Sequence, residues 1–128
     1  MEQVYYINGG ILSALGDDKS AVYQEVKKGI CAIRQCNLPA YDVQSFYAAP
    51  LWPVQYKMLE EKYSNQYALV ERMAFKVMDE AMLGYESLYE TTDFQLYIST
   101  TKGNITALGT ANEQVLLQHI GKVIQQKY

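Results

Sequence analysis

Two different hydrophobic periods run along this chain, and they divide it into elements. Residues 3–8, QVYYIN, are β-branched and aromatic and stop at Gly9-Gly10, which predicts a strand. Asp17-Asp18-Lys19-Ser20 then offers helix N-caps. Ala21, Val22, Val26 and Ile30 recur at helical spacing and Gly29 is a natural stop, predicting a helix over 18–28. The clearest amphipathic segment starts at Ser64. There Leu69, Met73 and Val77 form one ridge and Val70, Ala74, Met78, Ala81 and Met82 the next. Glu71, Arg72, Lys76, Asp79 and Glu80 mostly flank this face, and Gly84 ends it. Residues 94–100, FQLYIST, are apolar at most positions and predict a central strand, followed by a loop at 101–104. Thr110-Ala111-Asn112-Glu113 has the form of a capping box, and behind it Leu116, Ile120, Val123 and Ile124 predict a helix running almost to Tyr128.

Between Ile30 and Lys62 the periodicity breaks down. Pro39, Pro50 and Pro53 interrupt it, and Tyr41, Phe46, Tyr47, Trp52 and Tyr56 are scattered through it. The segment is too long for a bare loop in a compact domain. It predicts a short strand near 43–48, an extended arm packing its aromatics on something, and a short helix near 54–62. The order strand, helix, short strand, helix, strand, helix implies an α/β layer structure. There is no internal repeat and no low-complexity segment.

Composition narrows the class. A length of 128 residues implies one domain, spanning 1–128, with 49% apolar and 20% charged residues, as in a globular protein. A net charge of −3 argues against a general nucleic-acid surface, which needs excess positive charge. Met1-Glu2-Gln3 carries no positive n-region, and no apolar stretch reaches membrane-span length, so a cytoplasmic protein is expected. Cys31 and Cys36 are spaced C-x4-C. A structural zinc site needs four ligands and the single histidine, His119, is far along the chain. Two free thiols in a reducing compartment are expected, with a disulfide as the alternative.

Candidate chemistry is sparse. The opening turn is not a Walker loop. Five residues separate Gly10 from Gly16, and Asp17 follows where a lysine would be needed. Nor does Gly9-Gly10 supply G-x-G-x-x-G, so the turn reads as architectural. Lys102 beside Gly103, with Thr100 and Thr101, stands where α/β sheets place ligands, though a solvated loop lysine is the commoner use. Cys31 and Cys36 follow a predicted helix C-terminus, where the dipole disfavours thiolate, which makes them poor nucleophiles. His119 reads as a boundary residue at the edge of an apolar face, Asp17-Asp18 as helix capping, and Glu60-Glu61 as a solvated helix face. No catalytic, cofactor-binding or metal-binding residue is assigned within the chain.

The stretch YINGGILSALGDDKSAVYQEVKKGICAI resembles the amino terminus of β-ketoacyl-acyl-carrier-protein synthases, condensing enzymes of the thiolase-like fold. These begin with an apolar strand and T-G-x-G-x-V-S-P-L-G. Here Gly10 fits the second glycine, Ile11 and Leu12 the apolar pair, Ser13 the serine and Leu15-Gly16 the closing pair. Asn8 replaces the first glycine and Ala14 the proline. YDVQSFYAAPL looks like the short strand and arm that follow, MAFKVMDEAML is similar to the family's long central helix, and FQLYISTTKGNI to the next strand and its loop. The resemblance covers most of the chain in order.

The resemblance implies a partial thiolase-like layer structure: a mixed sheet with helices on its faces, in which glycine's freedom in φ lets the opening turn double back. It also implies the chemistry. A cysteine at a helix N-terminus takes an acyl group from a thioester, and two histidines, or a histidine and an asparagine, assist decarboxylation of malonyl-carrier protein before condensation. An acyl carrier protein is the implied partner. That cysteine lies beyond the strand expected after the last helix. Cys31 and Cys36 do not match its context, and His119 has no counterpart. The chain alone is therefore expected to be inactive and, with a sheet edge unpaired, to form a homo-oligomer or pair with a partner subunit. A non-catalytic subunit serving a condensing partner and an unrelated small α/β binding domain are the alternatives.

Overall fold

The computed structural model describes residues 8–38, 43–87 and 117–128. The described elements are α1 (Lys19–Lys27), β1 (Arg34–Leu38), β2 (Val43–Ala48), α2 (Pro53–Lys62), α3 (Leu69–Ala81) and α4 (Leu117–Lys127). The protein is thus mixed α and β. The expected strands at 3–7 and 94–100, the loop at 101–104 and the capping box at 110–113 lie outside the described residues. Asn8, the last residue of the first expected strand, is described and is not in a strand.

Local chemistry accounts for the ends of α1. The Asp18 carboxylate accepts from the Ser20 and Ala21 amides at 2.8 and 2.9 Å. At the other end Gly29 has φ 73°. Its amide donates to Val26 O at 2.9 Å while Ile30 N–H reaches Glu25 O at 3.0 Å, the paired bonds of a Schellman motif. The expected apolar face is only partly used. Val22 is buried, but Val26 and Ile30 are exposed.

β1 was not expected. It pairs with β2 in an antiparallel hairpin with Arg34 opposite Ala48, Gln35 opposite Tyr47 and Cys36 opposite Phe46, and the register slips before Leu38 meets Val43. Arg34, Gln35 and Asn37 give β1 no apolar alternation, because Gln35 and Asn37 point to an exposed face. The one described sheet is this antiparallel pair, so nothing described yet forms a mixed sheet.

α2 opens with Pro53 at its first position, where a missing N–H costs nothing. α3 starts at Leu69, five residues after Ser64. Residues 64–67 form a turn closed by Tyr67 N–H to Ser64 O at 3.1 Å, and Glu71 returns to cap the Ala68 amide at 2.8 Å. The core lies between α2, α3 and α4, where Leu51, Leu59, Tyr63, Phe75, Ile120, Val123 and Ile124 are buried together. Leu69, Val70, Met73, Ala74 and Met78 pack around it. The stripe is centred differently than the ridges imply: Phe75 and Glu71, a residue expected to flank the apolar face, are its most buried members, at 0% and 1% exposure. Among the described residues no helix is long and apolar enough to cross a membrane.

Candidate functional site

The opening turn is fastened to α3. A Cβ placed on Gly10 would stand 2.1 Å from the Val77 carbonyl oxygen, so only glycine allows this approach. Asn8 Nδ2 donates to Glu80 O at 3.3 Å and the Ile11 amide to Glu80 Oε2 at 3.3 Å. Lys76 Nζ donates to Asp17 O at 2.8 Å, and Lys19 is bonded to Asn8 Oδ1. A carboxylate therefore already accepts the loop amide that an anion would need. The turn is architectural as expected, but its cause differs. Gly10 is used for close approach, and its φ is not positive.

The far side of the turn is held by α2 and the hairpin. Trp52 Nε1 donates to Ala14 O and Gln55 Nε2 to Ser13 O, both at 2.8 Å. Gln55 is buried, and its Oε1 accepts the Trp52 amide at 2.8 Å, capping α2. The Arg34 guanidinium lies 3.8 Å from the Trp52 ring centre and donates to Pro50 O at 3.3 Å.

No disulfide joins Cys31 and Cys36. Cys31 is exposed on an open cleft of about 320 Å³ lined by Ser13, Ala14, Leu15, Ile30, Ile33 and Ala49. Among the described residues these walls offer no base to a thiol. Cys36 lies in β1, with Sγ 3.5 Å from Arg34 O. Lys102, Thr100 and Thr101 lie outside the described residues. Asp18 caps α1 as expected, and Glu60 and Glu61 are solvated, with Glu61 3.6 Å from Lys57.

His119 does not line the Cys31 cleft; it meets Glu71. Its Nε2 is 3.3 Å from Glu71 Oε1, across the α3–α4 contact. Glu71 Oε2 is taken by the Ala68 amide, whereas the fully covered Oε1 has no aligned hydrogen bond. A buried carboxylate capping one helix and facing an imidazole on the next was not legible from either residue's spacing.

The other polar cluster centres on Asp79, also expected merely to flank α3. Its Oδ2 accepts from Tyr63 Oη at 2.7 Å and faces Lys62 Nζ at 2.9 Å. Its Oδ1 accepts from Tyr128 Oη and from Lys127 Nζ at 3.3 Å. Burial pushes the Asp79 carboxyl up, but the bonds from Tyr128, Lys62 and Tyr63 and the charge of Lys127 outweigh it and hold the group well below the usual carboxylate range. Burial, and then the bond to Asp79 and its charge, push the Tyr63 phenol far above its ordinary value. Lys127 Nζ sits over three rings as well, 4.4 Å from the centre of Phe75, 4.7 Å from Tyr63 and 4.8 Å from Tyr128.

Among the described residues no group of three His, Cys, Asp or Glu side chains is placed to hold a metal ion. No protein family, curated protein or solved structure matches this chain.

Proposed function

We propose that this chain is the amino-terminal segment of a 3-oxoacyl-acyl-carrier-protein synthase, in which it builds scaffolding while the reactive thiol belongs to polypeptide outside these 128 residues. The observation that carries the reading is the docking of the Gly9-Gly10 turn on α3, with Gly10 against Val77 and Glu80 receiving the Ile11 amide. A turn whose Ile11 amide is already taken by a carboxylate is a poor phosphate cradle, which supports an architectural role. That is the role the resemblance gives to the same residues ahead of the long central helix. The Cys31 cleft, whose described walls supply no base, supports assigning the chemistry elsewhere. In this reading an acyl carrier protein delivers the acyl groups, and condensation proceeds with decarboxylation of a malonyl thioester.

The test has two arms. In the first, the chain is incubated with an acyl thioester and its thiols are mapped by mass spectrometry. Cys31 and Cys36 are expected to remain unacylated, and acylation of either that depends on the fold overturns the assignment. In the second, the reading frame is sequenced beyond Tyr128. An A-C-S-like turn followed by two histidines is expected, and their absence overturns the enzyme reading.

A further inference from the structure

We propose that Tyr63, Phe75, Tyr128 and Asp79 form a binding site for a primary alkylammonium group, filled in this structure by the chain's own Lys127. The proposal does not rest on the condensing-enzyme reading. Three aromatic rings stand around one ammonium nitrogen, with centres at 4.4, 4.7 and 4.8 Å, and the third, Tyr128, meets it at its hydroxyl edge. Ring faces carry the negative end of the aromatic quadrupole, and several of them around one point make a selective cation site. A carboxylate completes the enclosure, with Asp79 Oδ1 3.3 Å from the nitrogen.

The acceptors set the class of ligand. Lys127 Nζ donates to Asp79 Oδ1 and, at 3.1 Å, to the Tyr128 hydroxyl, which passes its own proton toward Asp79. These contacts need N–H bonds on the cation. A primary ammonium has three, and a quaternary ammonium has none. Phe75 is fully buried and Tyr63 is 6% exposed, so the nitrogen lies against apolar surface.

Most of the enclosure does not depend on its occupant. Tyr63 follows α2, and Phe75 and Asp79 lie one turn apart on α3. They are joined by the Tyr63–Asp79 bond and by a ring pair with centres 5.8 Å apart. With Lys127 withdrawn or neutralised, Lys62 still pairs with Asp79 Oδ2 at 2.9 Å, but Asp79 Oδ1 and the Phe75 and Tyr63 rings lose the cation that meets them together. A tethered occupant acts at an effective concentration of about millimolar or more. A free amine therefore competes poorly until Lys127 is removed.

The test is chemical rescue of the full chain carrying Lys127→Ala. Its denaturant midpoint is expected to fall below that of the parent and to rise saturably with n-butylammonium chloride. The parent's midpoint should not show that rise. Sodium chloride controls for ionic strength, n-butanol for the alkyl stem and tetramethylammonium chloride for a cation without N–H groups. A rise no larger than that given by any of these overturns the proposal. A second measurement needs no variant. In the NMR spectrum of the parent, the Lys127 ε-methylene protons are expected to be displaced upfield by ring currents and to stay there as n-butylammonium is added. Protons already at the free-lysine position overturn it.

Discussion

Gly10 and the Val77 carbonyl are in contact so close that a methyl group on Gly10 would lie 2.1 Å from the Val77 oxygen. Gly10→Ala must push the opening turn off α3 or bend the helix, and overpacking of this kind costs about 3 kcal/mol. Gly29 makes the control. A Cβ there meets nothing within 4 Å, and the φ of 73° is the only obstacle. Gly29→Ala should therefore cost about 1 kcal/mol. Urea unfolding of the two variants should rank them in that order.

Gln55 joins the start of α2 to the opening turn by using both ends of its amide. Its Oε1 caps the Trp52 amide and its Nε2 reaches Ser13 O, each at 2.8 Å. Gln55→Ala leaves the Trp52 amide without its partner and takes one of two donors from Ser13 O, which keeps the Gly16 amide at 3.1 Å, and should cost about 2 kcal/mol. Gln55→Glu keeps the cap but loses the donor and sets a carboxylate against a carbonyl oxygen. Trp52, the one tryptophan, reports the change directly. Its fluorescence should shift to the red in both variants as the Ala14 contact loosens, with the fold's far-ultraviolet dichroism retained.

Asp79 links acid stability to the α2–α3–α4 junction. Its carboxyl titrates below its ordinary value of 3.8 in the folded protein, so as the pH falls the unfolded chain takes up the proton first. The stabilisation is complete above the ordinary value and is lost as the pH falls through the folded-state value. Asp79→Asn should cost about 2 kcal/mol at pH 7, since charge-assisted bonds are replaced by neutral ones. The gap in urea midpoint between the two proteins should narrow steadily between pH 5 and pH 2. A constant gap would show that Asp79 is not held ionised by its four partners.

Much of the fold was legible in the sequence, because local signals fix helix ends. Asp18 and Gly29 mark the ends of α1, and Ile120, Val123 and Ile124 mark the buried face of α4, whereas Pro53, read only as an interruption, is the first residue of α2. β2 was legible from its apolar residues, whereas β1 was not, since a hairpin strand with an exposed face carries little pattern. The polar clusters were hidden for a different reason. Glu71 and Asp79 lie at the margins of an amphipathic helix, where charged residues normally face water. Only the arrival of α4 covers Glu71 with His119 and meets Asp79 with Tyr128 and Lys127. Contacts between residues some fifty positions apart leave no trace in periodicity.

The Glu71–His119 contact gives a graded test of that arrival. Glu71→Gln keeps an oxygen for the Ala68 amide and should be tolerated. Glu71→Ala removes the cap of α3, opens a hole beneath α4 and should cost about 2 kcal/mol. Protection of the α4 amides from hydrogen exchange should fall in Glu71→Ala and persist in Glu71→Gln. Equal loss in both would mean that the charge itself, and not the cap and the packing, holds the helices together.

The central claim is that these residues build part of a thioester-condensing scaffold, and cross-strand nuclear Overhauser effects in the uniformly labelled chain test it most directly. Residues 3–7 and 94–100 are predicted to be neighbouring strands of one sheet layer, with α3 against that layer. Contacts placing these two segments in separate layers, or showing either to be helical, would contradict it.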